Sequence, residues 1–340
     1  MLLPTTTDGL AVHQLLCGRE IADPSGGDPV FEMAAQMANF VYLVIDTATS
    51  EAAVVDAAWD CAGVARIAEE LGARITGAYY THKHFDHGGG HVPPRMTGGR
   101  EVMLEGAHSM AALGAAVYVC GPDADDLRKQ CGLADVSVIE EGSSLSIGRH
   151  GCAVLHTPGH TPGSVCFQVG DVIFTGDTLF IGACGRVDLP GSDPHQMHAS
   201  LRRLAELPDE LTVCPGHDYG PAPSGSMGRE KAQNMMMRQA ILSASPSEFA
   251  AVLARLAAPQ LIYAETPASA PPPLVNTGST SGRSSGGRRR RGPTGSAAQA
   301  VTVACCNVYA SATGKSGDFF CVDVGRPAMQ PGLATMGSLL

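Results

Sequence analysis

Three imidazoles and a carboxylate fall within residues 82–87, in the run Thr81-His82-Lys83-His84-Phe85-Asp86-His87. They follow directly on Ile75-Thr76-Gly77-Ala78-Tyr79-Tyr80, an apolar run that reads as a buried strand. Donors at that density are a metal site. A closed structural zinc module would draw on paired cysteines, and no C-x-x-C pair occurs in the sequence. Alternate residues of an extended chain project to one side, so His82 and His84 address one point. Asp86 and His87 come round a tighter bend and address a second point nearby.

One loop cannot complete two coordination spheres, and three further candidates follow. His160 lies in the Pro/Gly-stiffened turn His156-Thr157-Pro158-Gly159-His160-Thr161-Pro162-Gly163, after an apolar stretch at 151–155. Asp177 closes a hairpin signal, residues 165–169 and 172–174 about Gly170-Asp171, where one carboxylate can bridge two cations through its two oxygens. His217 follows residues 211–214 in Pro215-Gly216-His217-Asp218-Tyr219. All sit at strand ends facing one rim, where an open α/β sheet places its site.

The ordered blocks THKHFDH, TPGHTPGS, FTGDTLF, GACGRVDLPG and CPGHDYG carry a resemblance to the metallo-β-lactamase superfamily that runs from about residue 39 to about residue 234. Within it the likeness is to the glyoxalase II-like hydrolases and their persulfide dioxygenase relatives. The resemblance implies an αββα sandwich, two sheets packed face to face with helices outside. It also implies that His82, His84 and His160 hold a first metal, that Asp86, His87 and His217 hold a second, and that Asp177 bridges them.

The elements needed to position such a site are visible independently. Residues 41–45 and 52–55 read as short apolar strands, followed by an amphipathic helix over 61–71 closed by Gly72. A second helix starts at Asp193-Pro194, with Asp193 as N-cap, Pro194 as first helical residue, and Met197, Leu201 and Leu204 on one face. Hairpins interleaved with helices argue for α/β layers.

Two divalent ions a few Å apart can hold a bridging hydroxide, lowering the pKa of water from about 15.7 to about 7 while polarising a carbonyl. That is hydrolysis of an ester, thioester or amide. Asp86 would then be the catalytic carboxylate, at once ligand and orienter of the attacking hydroxide. Zinc is the expected metal, with iron or manganese also suited to this ligand set. Lactam-cleaving relatives commonly place a cysteine among the second-metal ligands where this chain has Asp177. The TGDTLF block resembles glyoxalase II instead, which implies a hydroxyacylglutathione hydrolase-like activity on a glutathione thioester. The resemblance departs at the family's Gly-Cys-Gly-Lys-type segment, which here reads Gly182-Ala183-Cys184-Gly185-Arg186, and no helical glutathione-gripping domain is evident after Arg229. Arg186 could replace the lysine and pair bidentately with a substrate carboxylate. GRVDLPG also looks like the persulfide dioxygenases, for which His82, His160 and Asp177 would hold a single iron. Those dioxygenases usually read HADH followed by an apolar residue, so the loop His84-Phe85-Asp86-His87-Gly88-Gly89 favours the hydrolase over them; a non-catalytic metal-binding homologue is the other alternative.

Other residues receive plainer readings. Tyr219 is a substrate-binding or a packing residue; His195 and His198 lie on an exposed helical face; His91, His108, His150 and His156 are ordinary surface or interior histidines; Cys184 is a small buried residue.

With 340 residues and 44% hydrophobic content the chain can bury one large core, and a net charge of −10 argues against nucleic-acid binding by the main body. Eleven cysteines without a framework indicate a reducing compartment, and neither a charged leader nor an apolar run long enough for a membrane is apparent. Cytoplasmic residence is the expectation, an organelle remaining open, and the oligomeric state is not legible. The hydrolase domain is expected over residues 1–258. A Pro/Gly/Ser-rich disordered linker with Arg288-Arg289-Arg290-Arg291 is expected over 259–300, and a tail of undefined structure over 301–340.

Overall fold

The computed structural model describes residues 1–257, with side chains to residue 255. The expected linker and tail lie outside the described residues. Seven strands form the first sheet in chain order: β1 (Leu2–Leu3), β2 (Leu10–Leu16), β3 (Phe40–Asp46), β4 (Glu51–Val55), β5 (Arg74–Tyr80), β6 (Ala116–Cys120) and β7 (Ser137–Ile139). β1 to β4 run antiparallel to their neighbours, and β4 to β7 are parallel. The second sheet has six strands, also in chain order: β8 (Ser144–Ile147), β9 (His150–His156), β10 (Val165–Val169), β11 (Val172–Gly176), β12 (Thr212–Pro215) and β13 (Gly225–Ser226). Here only β11 and β12 are parallel.

Strand periodicity explains why two such sheets stack. In β3, Phe40, Tyr42 and Val44 point to the second sheet, where they meet Val154, Phe167 and Phe174 in the central core. The alternating residues Val41, Leu43 and Ile45 point outward to helices α1 (Pro29–Met37), α2 (Cys61–Glu70), α4 (Gly106–Ala112) and α5 (Gly121–Gln130). A short helix, α3 (Phe85–Gly88), sits between α2 and α4 in sequence. Beyond the second sheet, Cys166, Ile173 and Val213 meet α6 (Pro194–Leu204), α7 (Met227–Gln233), α8 (Met235–Leu242) and α9 (Pro246–Ala257). Three apolar layers thus separate four layers of structure, the αββα sandwich expected. All seven residues of β3 are buried, so it reads as a continuous apolar run rather than an alternating one.

The helix ends are set by side chains. Asp60 caps α2 by accepting from the Gly63 amide, and Asp193 caps α6 by accepting from His195 N at 2.7 Å, with Pro194 behind it. Met197, Leu201 and Leu204 are fully buried, as their spacing predicts.

Two expectations are corrected. His198 is only 6% exposed, its ring 5.3 Å from that of Phe249, because α9 packs over α6; His195 is exposed as expected. Helical structure does continue past Arg229, in α7 to α9, with Phe249 and Leu253 completing the outer core. No helix among the described residues is long and apolar enough to cross a membrane. The eight cysteines from Cys17 to Cys214 are buried.

Candidate metal centre

The C-terminal ends of β5, β9, β11 and β12 converge on one rim and bring all seven sequence-identified residues together. Three groups of three emerge, with ligand atoms inside 4.8 Å of one another: His82, His84 and His160 form a first, Asp86, His87 and His217 a second, and His82, His87 and Asp177 a third that joins them. His82 and His84 leave β5 extended, whereas Asp86 and His87 lie on α3, the tighter bend. In the first group His84 Nδ1 lies 3.1 Å from His82 Nε2 and 2.9 Å from His160 Nε2. In the second, His87 Nε2 and His217 Nε2 are 3.1 Å apart, and Asp86 Oδ2 is 3.4 and 3.3 Å from them. Asp177 stands between, with Oδ2 3.3 Å from His160 Nε2 and Oδ1 3.3 Å from His87 Nε2 and 3.5 Å from His217 Nε2.

Surrounding groups fix which imidazole nitrogen carries the proton. His217 Nδ1 meets the Met37 carbonyl at 2.8 Å, and His160 Nδ1 meets the Arg186 carbonyl at 2.9 Å. A carbonyl only accepts, so each Nδ1 donates and each Nε2 presents a lone pair inward. His87 Nδ1 donates to Asp56 Oδ2 at 3.1 Å. The Thr81 hydroxyl donates to the same carboxylate at 2.7 Å, leaving its oxygen to accept from His82 Nδ1 at 3.1 Å. Asp56 therefore orients one histidine of each group; its own backbone is held at φ 58°, a conformation uncommon for a residue with a side chain. Asn39 donates to Asp86 Oδ2 at 3.1 Å, its amide direction set by Trp59 Nε1, which donates to Asn39 Oδ1 at 3.0 Å.

Inward lone pairs facing carboxylate oxygens at 3.3 Å repel unless a positive charge lies among them. Asp177 Oδ1, buried and without a hydrogen-bond partner among the described residues, makes the same point. The donor set fits divalent cations.

The electrostatics differ between the groups. Burial, reinforced by neighbouring imidazoles, drives His82 far down and His84 down to about 3, and lowers His160 despite Asp177. For His87 and His217 burial acts in the same sense, but Asp177 and Asp86 outweigh it; His87 is held well above its ordinary value and His217 is raised to about 9. Burial penalises the charge of Asp86 and Asp177, yet His87 and His217 hold both carboxyls below the usual carboxylate range. The carboxylates there favour positive charge, as a cation site requires.

Close packing leaves no slack in the rim. A Cβ on Gly216 would lie 2.5 Å from Asp177 Oδ1 and 2.8 Å from His87 Cε1, so only glycine lets β12 deliver His217 this close.

The cluster floors a cleft of about 410 Å³ whose walls include Met37, Phe85, Met96, Phe180 and Leu189. Tyr219 lines it with its ring stacked on His217, 4.4 Å and 11° between planes. Arg186 also lines it and pairs bidentately with Asp188 at 2.9 and 2.8 Å. Cys184 is buried, as expected.

Sequence reasoning missed Asp56, Asn39 and Trp59, which carry no motif spacing. It also missed Arg95, a third cation at the cleft beside Lys83 and Arg186. A lone arginine following Pro93-Pro94 is the only signal for Arg95.

The comparisons with known proteins agree with this geometry. Residues 122–217 match the model of the metallo-beta-lactamase superfamily. A hydroxyacylglutathione hydrolase of Gloeobacter violaceus is 33% identical over 192 residues, 56% of this chain and 68% of that protein. A probable polyketide biosynthesis zinc-dependent hydrolase of Bacillus subtilis is 29% identical over 190 residues, 56% of this chain and 77% of that protein. The crystal structure of ETHE1 from Myxococcus xanthus superposes with a TM-score of 0.55 at 28% identity, covering 66% of this chain and 89% of that one. Fold, ordered motifs and relatives agree: the chain belongs to the metallo-β-lactamase superfamily, among its glyoxalase II-like metallo-hydrolases.

Proposed function

We propose that the chain is a binuclear metal-dependent hydrolase of thioesters, with a glutathione-linked acyl group as substrate class. The observation that carries this reading is the pair of three-residue groups sharing Asp177, one oxygen of that carboxylate facing each group. His82, His84 and His160 would hold one ion and Asp86, His87 and His217 the other, zinc first by the example of the zinc-dependent relative. Bound there, the ions would supply a hydroxide at neutral pH and polarise the scissile carbonyl.

The chain's own residues do the rest. Asn39 and the imidazoles pin Asp86, whose carboxylate orients the nucleophile. The apolar walls exclude bulk water and pack the acyl group. Cations at the rim suit an anionic thiol carrier. Lys83 is already paired with Asp126 at 2.6 Å and Arg186 with Asp188, while Arg95 has no ion pair or hydrogen bond among the described residues. Arg95 is therefore the group best placed to meet a substrate carboxylate.

A second reading, one iron on His82, His160 and Asp177 as in the persulfide dioxygenases, draws support from the 3.3 Å separation of His160 Nε2 and Asp177 Oδ2. The intact second group weighs for the hydrolase. The test is steady-state cleavage of S-lactoylglutathione by the zinc-loaded full chain. Turnover abolished by chelation and restored by zinc is the expected result, with KM raised and kcat kept in Arg95→Ala. No thioester turnover, with oxygen uptake on glutathione persulfide, would replace it with the second reading.

A further inference from the structure

Asp123 belongs to neither group of ligands and carries no step of the mechanism above, yet it is completely buried. It lies in the first turn of α5, where the helix dipole favours a negative charge. Its carboxylate is spent on the two loops that carry His82, His84 and His160. Oδ2 accepts from the Lys83 backbone amide at 3.1 Å, between His82 and His84 in sequence, and from the Thr161 hydroxyl at 2.6 Å, next to His160. Oδ1 accepts from the Gly163 amide at 3.1 Å, and Lys83 Nζ lies 3.7 Å from it.

These loops come from different sheets. One leaves β5 of the first and the other follows β9 of the second, so covalent geometry does not fix their separation. A buried carboxylate bonded to both does. The approach is tight: a Cβ on Gly163 would fall 2.5 Å from Asp123 Cγ, so glycine at 163 is what admits the carboxylate. Asp86, His87 and His217 make no hydrogen bond to Asp123; they are braced by Asp56, Asn39 and the Met37 carbonyl.

We propose that Asp123 is a positioning residue for His82, His84 and His160, setting the distance between their two loops and thereby the metal affinity of that half of the centre alone. This rests on the metal-centre reading above. An asparagine at 123 keeps the shape but offers one accepting oxygen in place of two, so at least one loop amide loses its partner.

The test is calorimetric titration of the metal-stripped full chain with zinc, in two backgrounds that leave one group each. In His217→Ala the remaining intact group is His82, His84 and His160, and adding Asp123→Asn is expected to weaken zinc binding about 10- to 100-fold. In His84→Ala the other group remains, and Asp123→Asn should leave its affinity unchanged. Thr161→Val, which removes one hydroxyl, should weaken zinc in the His217→Ala background, and Thr161→Ser should restore it. Unchanged affinity with Asp123→Asn in the His217→Ala background, or equal loss in both backgrounds, overturns the positioning role while leaving the metal centre standing. Absence of zinc binding in the unsubstituted chain would overturn the metal-centre reading itself, and this one with it.

Discussion

The two halves of the ligand cluster lie side by side but are built from different donors. His82, His84 and His160 are all imidazoles, and burial drives them toward the neutral form. Asp86, His87 and His217 include a carboxylate, and there the carboxylates prevail over burial and gather positive charge. Asp177 touches both through separate oxygens. The contrast teaches that burial alone does not decide the charge of a histidine in this site: His87 and His217, in contact with both Asp86 and Asp177, are raised against it, whereas His160, in contact with Asp177 alone, stays lowered. It also implies unequal partners for metal, since a half holding its own carboxylate attracts a cation more strongly than one made of neutral rings.

The strongest way to break that comparison is to remove what the halves share. Asp177→Ala should cost both ions and reduce thioester cleavage to background, read by elemental analysis and a thiol-release assay. Next in size is the difference between halves. Under graded chelation, the ion held by the imidazoles alone should leave first, at about tenfold lower chelator concentration than the other, reflecting the extra unit charge; His84→Ala should abolish the first step and His217→Ala the second. Asn39→Ala should then act on one half only. It strips Asp86 Oδ2 of its donor and leaves Trp59 Nε1 without an acceptor, so turnover is expected to fall about 10- to 100-fold with the first chelation step unmoved.

The smallest effect belongs to a control remote from the centre. Asp171 accepts hydrogen bonds from Thr5, Thr6 and Thr7, which outweigh burial and hold its carboxyl below the usual range. Because the folded value lies below the unfolded one, its contribution is fully present above about pH 4 and is lost as the pH falls further. Asp171→Asn should lower Tm by about 2–4 °C at pH 7, with the gap to the parent closing in acid and both metal steps intact. A gap that widens in acid would reverse the sign of this assignment.

Much of this arrangement is legible in the chain itself. The seven ligand candidates stand out because imidazoles and carboxylates crowd into short Pro/Gly-rich turns immediately after apolar strands. The strands are visible as apolar runs, and α6 is visible from Asp193-Pro194 and the spacing of Met197, Leu201 and Leu204. What stays hidden depends on chain segments meeting in space. Asp56, Asn39 and Asp123 are single polar residues with partners far along the chain, 25 positions from Thr81 to Asp56, 40 from Lys83 to Asp123 and 47 from Asn39 to Asp86. His198 reads as solvent-facing because the sequence of α6 does not announce the arrival of Phe249 on top of it. The helices after Arg229 escape notice because Met-rich stretches such as Met235-Met236-Met237 carry weak periodicity, their helical state being fixed by packing against α6.

The central claim is a centre of two ions used for thioester hydrolysis. Elemental analysis of the purified full chain, reporting moles of zinc, iron and manganese alongside S-lactoylglutathione cleavage, addresses it directly. The account predicts two ions per chain and turnover, with the second ion and the turnover lost in Asp86→Ala. A single iron per chain, no thioester cleavage, and oxygen uptake with glutathione persulfide would contradict it.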